Sequence, residues 1–481
     1  MASSRKADPE PPLRSPIDFD PPSNGEFCPR PTTARARRAE RLFREIVEDK
    51  HRRVGMTRRE FASSACGMAA ALHVLNLVGC GSSERAEGKG PSGGDAGYDV
   101  DAGMLEDGGR ARERLTGDEF VFDVQVHVSE PLAPWTEKRP PEQALDFITQ
   151  IFVESDTTVA CVTGVPAVRD LGVGHVQAHA QVQEIIDRLG GPRLIFHGSA
   201  DPDRGASELD FMAEIADRYA ISAFKTYPHA GTFRLDSDEV GSPYIEQARA
   251  LGVRVLATHR GLSGGGGYDV SGSPVDVVRA AKNHPDMKFL VYHSGWEADG
   301  DENHPFDPSN TDPTGVDRFV KALIDNGIGP DGNVWAELGT TWFNLLLVPD
   351  QAAHVLGKLL KQLGPDRVLY GTDCVLNGAP QSQIVALRAF VIPEAMQEAY
   401  GYPALTDDVR KKLLGLNGAA VYGVDPEVVR YRIAGDDIEM LRTAYRNDPR
   451  SVPVPRYGEY TGPRTRHEFF EFLRRERHAR G

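Results

Sequence analysis

Eight short runs rich in β-branched and aromatic residues, each followed by a helical pattern, constrain the fold of this chain more than any other feature. They span residues 119–128, 157–165, 193–200, 221–229, 253–259, 288–296, 333–339 and 367–375. Strands that alternate with helices form parallel sheets through right-handed crossovers. Eight such units predict an α/β fold of the closed (β/α)8 TIM-barrel type. An open doubly wound sheet is the alternative, although no G-x-G-x-x-G follows the first run.

Segments of different composition flank the barrel predicted over residues 118–430. Residues 1–56 form a leader that begins with Pro-, Ser- and Asp-rich sequence, for which we expect disorder, and continues as a short basic amphipathic helix. Residues 81–117 are rich in Gly, Ser and Asp and are expected to form a flexible linker. Residues 431–481 carry amphipathic patterns with basic ends, which predict a helical extension packed on the barrel or on a partner subunit.

Residues 57–80 resemble a twin-arginine export signal, since Arg58 and Arg59 precede a mildly apolar stretch. The end of that stretch, from Leu77 to Cys80, also resembles a lipoprotein processing site, where a lipid on Cys80 would anchor the chain to a membrane. An ordinary buried helix is the alternative, because more than fifty residues precede the arginine pair. We therefore expect an exported protein, periplasmic or membrane-anchored, with a cytoplasmic location as the alternative.

The charge distribution limits the classes of partner that the chain is expected to bind. The chain has a net charge of -15, and residues 35–59 alone carry ten Lys or Arg against four Asp or Glu, which leaves -21 for the rest. So acidic a body is not expected to bind nucleic acid. Five cysteines in 481 residues cannot form a disulfide scaffold. The expected partner is a small-molecule substrate, and a homodimer is compatible with the helical extension.

Ionisable side chains stand at the ends of several predicted strands. They are His127, His229, His259, His293 and Asp373. In (β/α)8 barrels the carboxyl ends of the strands carry the active site. Imidazole and carboxylate ligands together suit Zn²⁺ or another first-row divalent ion. The pattern predicts a site for one divalent metal ion, with zinc as the expected metal.

Four of these strand ends carry short motifs in a fixed order. They are D-V-Q-V-H ending at His127, T-H at His259, H-S-G-W from His293 and Y-G-T-D ending at Asp373. Together they resemble the amidohydrolase superfamily, in its amidohydrolase-2 branch, which includes aminocarboxymuconate-semialdehyde decarboxylase. The resemblance covers about residues 119–425.

The resemblance implies roles for these residues. His127 and His259 would ligate the metal, and Asp373 would ligate it or hold the attacking water and take its proton. His293 would be the catalytic acid or base. Gln125 stands where the family usually has its first histidine; its carbonyl oxygen could still ligate the ion, although it is a weaker ligand than imidazole.

Further residues could contact the substrate. Arg260 could pair with a substrate carboxylate through two hydrogen bonds. Trp296 and Trp342 could wall an aromatic substrate, with packing as the alternative for both. His229 is expected to be a substrate or loop residue.

The reaction stays open between related chemistries. We expect a metal-dependent hydrolase that acts on a small amide, ester or lactone through activated water. Non-oxidative decarboxylation of an aromatic or unsaturated acid is the alternative within the same branch, and an exported setting favours hydrolysis slightly. A barrel that has lost its chemistry and acts as a binding protein is the third possibility, because Gln125 departs from the family pattern.

Overall fold

A computed structural model describes residues 13–24, 27–29, 31–79, 96–128, 145–164, 183–184, 186–228, 233–263, 272–375, 377–448, 463–471 and 474. Its strands are β1 Gly97–Tyr98, β2 Phe122–Val126, β3 Val159–Val162, β4 Leu194–Ser199, β5 Ile221–Thr226, β6 Val255–His259, β7 Lys288–Tyr292, β8 Val334–Glu337, β9 Val368–Leu369 and β10 Phe390–Val391.

Strands β2 to β9 form a single parallel sheet in sequential order. The sheet closes on itself, because the chain after β9 pairs with β2: the Asp373 amide donates to the Gln125 carbonyl at 2.9 Å, and Val126 forms a parallel bridge with Cys374. Each of the eight predicted runs contains one of these strands, in the same order. The predicted (β/α)8 barrel is confirmed.

Helices surround the barrel. They are α1 Ala34–Lys50, α2 Arg58–Ala62, α3 Ala65–Gly79, α4 Gly108–Leu115, α5 Ala206–Arg218, α6 Gly241–Ala250, α7 Val275–Asn283, α8 Gly315–Asn326, α9 Thr341–Leu345, α10 Pro349–Leu363, α11 Gln381–Ala389, α12 Glu394–Tyr400, α13 Asp407–Lys411, α14 Asn417–Tyr422, α15 Pro426–Ile433 and α16 Asp437–Asn447. Their ends follow local signals: Thr57 and Glu60 form a capping box at the start of α2, and Gly327, at φ 69°, ends α8 in the left-handed conformation.

The C-terminal extension packs on the barrel, which is one of the two arrangements predicted for it; the other was packing on a partner subunit. Ile438 of α16 is fully buried, and the Arg442 guanidinium donates to the carbonyl of Phe152 at 2.7 Å. The described part of the extension is therefore helical and belongs to the same folded body.

The region before the barrel is more ordered than the sequence predicts. Side chains of α1 and α3, among them Phe43 and Leu72, are buried in the same apolar cluster as Leu356 of α10. Residues 96–115, expected to be linker, form β1, a short 3₁₀ turn and α4. Because β1 pairs with β10, the linker prediction is wrong for this part of the chain.

Residues 13–24, for which disorder was expected, are also packed in the structure, since Ile17 and Phe19 are buried. This segment has no regular secondary structure, so its apolar residues need no period to pack, and a search for periodicity cannot find them. Cys80 lies outside the described residues. Within those residues, none of the helices has both the length and the apolar character needed to cross a membrane. Export, lipidation and dimerisation stay predictions.

A buried ion-pair triad fixes the long loop that follows β7. The Lys358 ammonium of α10 lies 2.5 Å from the carboxylate of Glu302 in the loop and 2.6 Å from that of Asp317 in α8. All three side chains are less than a tenth exposed. The loop is thereby held against two helices at the carboxyl end of the barrel.

Replacing Lys358 with Met should destabilise the protein strongly, because it leaves two buried carboxylates without their cation. We expect a loss of about 3–5 kcal/mol in the free energy of unfolding, measured with denaturant at neutral pH. Lys321→Met is the matched control, since Lys321 pairs with Asp325 at the surface and should change stability by less than about 1 kcal/mol. A similar small change for Lys358→Met would contradict the role given to the triad.

Candidate active site

His127, directly after β2, opens the site at the carboxyl end of the barrel. It is buried, and its Nδ1 lies 2.9 Å from the carbonyl oxygen of Thr163. A carbonyl can only accept, so Nδ1 carries a proton and Nε2 is turned to the barrel interior. There Nε2 lies 2.7 Å from Oδ1 of Asp373. The first and last strand ends of the barrel thus meet through these two side chains.

The Asp373 carboxylate is fully buried and gathers several donors. Oδ1 accepts from Gln125 Nε2 at 3.0 Å, in addition to its contact with His127. Oδ2 accepts from the Thr340 hydroxyl at 2.5 Å. Gln125 and His127 reach the same oxygen because they are two residues apart on one strand and point to the same side.

Asp123, a further two residues back on β2, holds the chain that carries Asp373. Its carboxylate accepts from the backbone amides of Gln125 and Thr372, each at 3.1 Å, and from the Thr372 hydroxyl. Burial raises the pKa of Asp123 to about 7, although these hydrogen bonds act to lower it. The D-x-Q-x-H and G-T-D motifs are therefore one connected unit.

His293, directly after β7, is fixed by the neighbouring strand. Its Nδ1 lies 2.7 Å from the carbonyl oxygen of Gly339, and its backbone amide donates to Glu337 Oε2 at 3.1 Å. By the same reasoning as for His127, Nδ1 carries a proton and Nε2 has a lone pair. Burial lowers the pKa of His293 to about 4, while the nearby Asp373 acts to raise it.

His259, the last residue of β6, lies against His293 with ring centroids 4.3 Å apart. Lys225 of β5 is buried beside them, with its ammonium 3.4 Å from the centroid of the Tyr292 ring, a cation–π contact. Glu337 at the end of β8 is also fully buried; burial raises its pKa to about 8, and Lys225 acts in the opposite direction. The site is thus a closed group of ionisable side chains from most strands of the barrel.

Backbone strain marks the same place. Non-glycine residues with positive φ among the described ones include His293 at 66°, Ser294 at 54°, Thr340 at 52° and Asp373 at 62°. Such conformations cost about 1–3 kcal/mol each and persist where the surroundings fix them, which happens often at active sites. Four in one cluster indicate that side-chain placement here takes precedence over local backbone preference.

The structure brings His127, Gln125 and Asp373 into contact and places His259 against His293, while the roles of these residues stay predictions. Not all of the expected substrate residues join them. Arg260 is a correction: it is buried and makes two hydrogen bonds to Asp276, at 3.0 and 2.5 Å, so its guanidinium is committed to that carboxylate.

Of the two tryptophans expected to line the substrate site, one is corrected by the structure. Trp342 is a core residue rather than a wall: its indole donates to the Gln383 carbonyl at 2.9 Å and packs edge-to-face on Phe390. Trp296 is buried, and no partner for its Nε1 is found among the described residues, so its substrate role stays a prediction. His229 lies outside them.

Whether these residues suit a metal ion depends on Gln125. No three His, Cys, Asp or Glu side chains in the described parts of the chain surround one point closely enough to bind an ion by themselves. The Gln125 amide completes the set formed by His127 and Asp373, and its buried Oε1 has no partner among the described residues. Amide nitrogen and oxygen exchange places when the group turns by half a rotation, which would bring Oε1 to the point where His127 and Asp373 meet. The donor set therefore fits a divalent ion, held by His127, Gln125 and Asp373 with His259 nearby.

Three further residues of the site were not predicted. Glu337 meets the criterion by which the histidines were predicted, since it is an ionisable residue near the end of a predicted strand. Thr340 gives no such signal, because it lies in a turn and acts through its hydroxyl. Asn24, whose side-chain amide lies 3.0 Å from the Thr340 hydroxyl and 3.5 Å from Asp373 Oδ2, comes from the leader, where no site residue was expected.

A family model described as amidohydrolase matches residues 122–424. No curated protein matches the chain. Among solved structures, it is similar to an amidohydrolase from Burkholderia multivorans with bound zinc (17% identity, 64% of this chain and 100% of the other, TM-score 0.41) and to 2,6-dihydroxybenzoate decarboxylase from Rhizobium (13%, 64% and 100%, TM-score 0.42). A third is amidohydrolase 2 from Bifidobacterium longum subsp. infantis (12%, 64% and 100%, TM-score 0.34).

The family model spans more than half of the chain and covers the whole barrel together with every strand-end motif. The chain belongs to the amidohydrolase family. It is accordingly an enzyme of a metal-dependent family.

Replacing Gly371 of the Y-G-T-D motif with Ala should disturb the site, because an added Cβ would overlap Glu337 Oε1 and lie 3.1 Å from Gln125 Cβ. We expect a loss of about 1–3 kcal/mol in the free energy of unfolding, measured with denaturant. Gly329→Ala is the control, since a Cβ there meets only the Gln362 carbonyl at 3.9 Å. Equal stability of the two variants would contradict this account of the motif.

Proposed function

We propose that the protein is a metal-dependent hydrolase of a small organic amide, ester or lactone, with zinc as its metal. A bound divalent ion would polarise a substrate carbonyl and make water more acidic. His127, Gln125, Asp373 and His259 would hold it. The observation that carries the proposal is the hydrogen bond from His293 Nδ1 to the Gly339 carbonyl, which leaves Nε2 as a proton acceptor inside the site.

Hydrolysis needs such an acceptor. A water molecule that attacks a carbonyl must lose a proton, and a buried imidazole whose Nε2 carries no proton is suited to take it. Asp373, close enough to act on His293 electrostatically, would stabilise the imidazolium that results. The proton can then pass from His293 to the leaving group.

Decarboxylation makes the opposite first demand, since the carbon that loses CO₂ has to receive a proton. His293 would have to be charged at the start, and its burial disfavours that form. This difference supports hydrolysis over the carboxy-lyase alternative. The two reactions can also be told apart by their products, since decarboxylation releases CO₂.

The purified protein should contain one divalent metal ion, and His127→Ala or His259→Ala should reduce its metal content, because each removes an imidazole ligand. Elemental analysis after dialysis measures this directly. His284→Ala is the control, as that partly buried histidine interacts with Arg249 outside the site. Wild-type protein that stays metal-free when zinc is supplied would contradict a metal-dependent enzyme.

Given a panel of lactones, esters, amides and hydroxybenzoates, the enzyme should open or cleave a member of the first three classes without releasing CO₂. His293→Gln should lower kcat by about 10²–10⁴, because glutamine cannot exchange a proton in this way. Product analysis and CO₂ detection are run side by side, with His284→Gln as the control. CO₂ release from a hydroxybenzoate, lost in His293→Gln, would assign the decarboxylase reaction instead.

A further inference from the structure

The N-terminal leader reaches the barrel's catalytic end. Asn24 is buried, and its Nδ2 lies 3.0 Å from Thr340 Oγ1 and 3.5 Å from Asp373 Oδ2. More than three hundred residues separate Asn24 from both partners in sequence. We propose that Asn24 is a positioning residue of the active site, which holds Asp373 in the orientation that metal binding requires. This inference rests on the proposed metal-dependent function.

The two oxygens of the Asp373 carboxylate face different groups. Oδ1 contacts His127 and Gln125, two other candidate metal ligands, while Oδ2 contacts Thr340 and Asn24. A carboxylate held on one oxygen alone can rotate about its last bond. Donors on Oδ2 limit that rotation and keep Oδ1 turned to His127. Hydrogen bonds of this kind to metal ligands typically affect metal affinity or activity 10- to 100-fold.

Thr340 does not secure this orientation by itself. Its hydroxyl donates to Asp373 and accepts from Asn24 Nδ2 at 3.0 Å and from Asn377 Nδ2 at 3.1 Å. A hydroxyl has one proton, and two incoming donors direct that proton to Asp373. Asn24 thus acts on the carboxylate directly and through the hydroxyl of Thr340.

The backbone that leads to Asn24 is anchored. The amide of Ser23, a fully buried residue, donates to the carbonyl of Pro463 at 2.9 Å, and Arg464 donates to the carbonyl of Asp20 at 3.2 Å. Ile17 and Phe19 are buried as well. Segments from both ends of the chain therefore pack together where Asn24 enters the site.

A consequence concerns the export signal expected around Arg58 and Arg59. Cleavage at the end of that signal would remove Asn24 from the mature protein. If Asn24 positions Asp373, the active enzyme is the form that keeps its N-terminal segment.

The test uses the full chain and the isosteric variant Asn24→Asp, which keeps the shape but has no proton to donate when ionised. Zinc affinity is measured by competition with a chromophoric chelator. We expect Asn24→Asp to bind zinc about 10- to 100-fold more weakly, and Asn24→Ala to bind it more weakly as well. Asp18→Asn, at an exposed position of the same segment, should match the wild type.

Denaturant unfolding of the metal-free proteins separates positioning from folding. Weaker zinc binding with an unchanged unfolding midpoint supports the proposal. Unchanged zinc binding overturns it, and so does a loss of affinity that is matched by a loss of stability. If the wild type and Asn24→Asp bind zinc equally while His293→Gln abolishes hydrolysis, this inference fails and the proposed function stands. A wild-type chain that binds no zinc overturns the two together.

Discussion

The Asp373 carboxylate is the group on which the rest of the site depends. It is buried at the point where the barrel closes, and the groups that contact it come from distant parts of the chain: Gln125 and His127 at the first barrel strand, Thr340 after the seventh, and Asn24 from the leader. An isolated buried carboxylate costs several kcal/mol, so its donors have to be in place when the barrel forms. Barrel closure and site assembly are in this sense one event.

The same requirement accounts for the backbone of the site. His293, Thr340 and Asp373 adopt positive φ, which a chain adopts only when tertiary contacts outweigh local preference. The contacts are present: Glu337 accepts from the backbone amides of His293 and Gly339, and Asp123 accepts from the amide of Thr372. Glu337 and Asp123 play no direct part in the proposed proton transfer. Their carboxylates hold in place the turns that carry His293 and Asp373.

The sequence predicts the barrel well, because each strand and helix has its own local pattern and parallel connections allow few topologies. It also predicts the central residues, since ionisable groups at strand ends converge in any such barrel. What it misses depends on tertiary structure. The pairing of Arg260 with Asp276 and the burial of Trp342 come from packing between elements. Asn24 has no local signal, as a lone amide in a segment without periodicity looks like any other loop residue.

The export prediction and the fold make competing demands on the same helix. A signal has to be exposed to be recognised, whereas Leu72, Val74 and Leu75 of α3 are at most 2% exposed in the folded chain. Burying each such side chain stabilises the protein by about 1.5–3 kcal/mol, so a molecule that exposes α3 gives up several kcal/mol of its folding free energy. The arginine pair differs, since Arg58 and Arg59 are exposed on α2. The arginine pair is accessible for recognition on the folded protein. The apolar stretch that follows it becomes accessible only before folding, or after α3 leaves its place against α1 and α10.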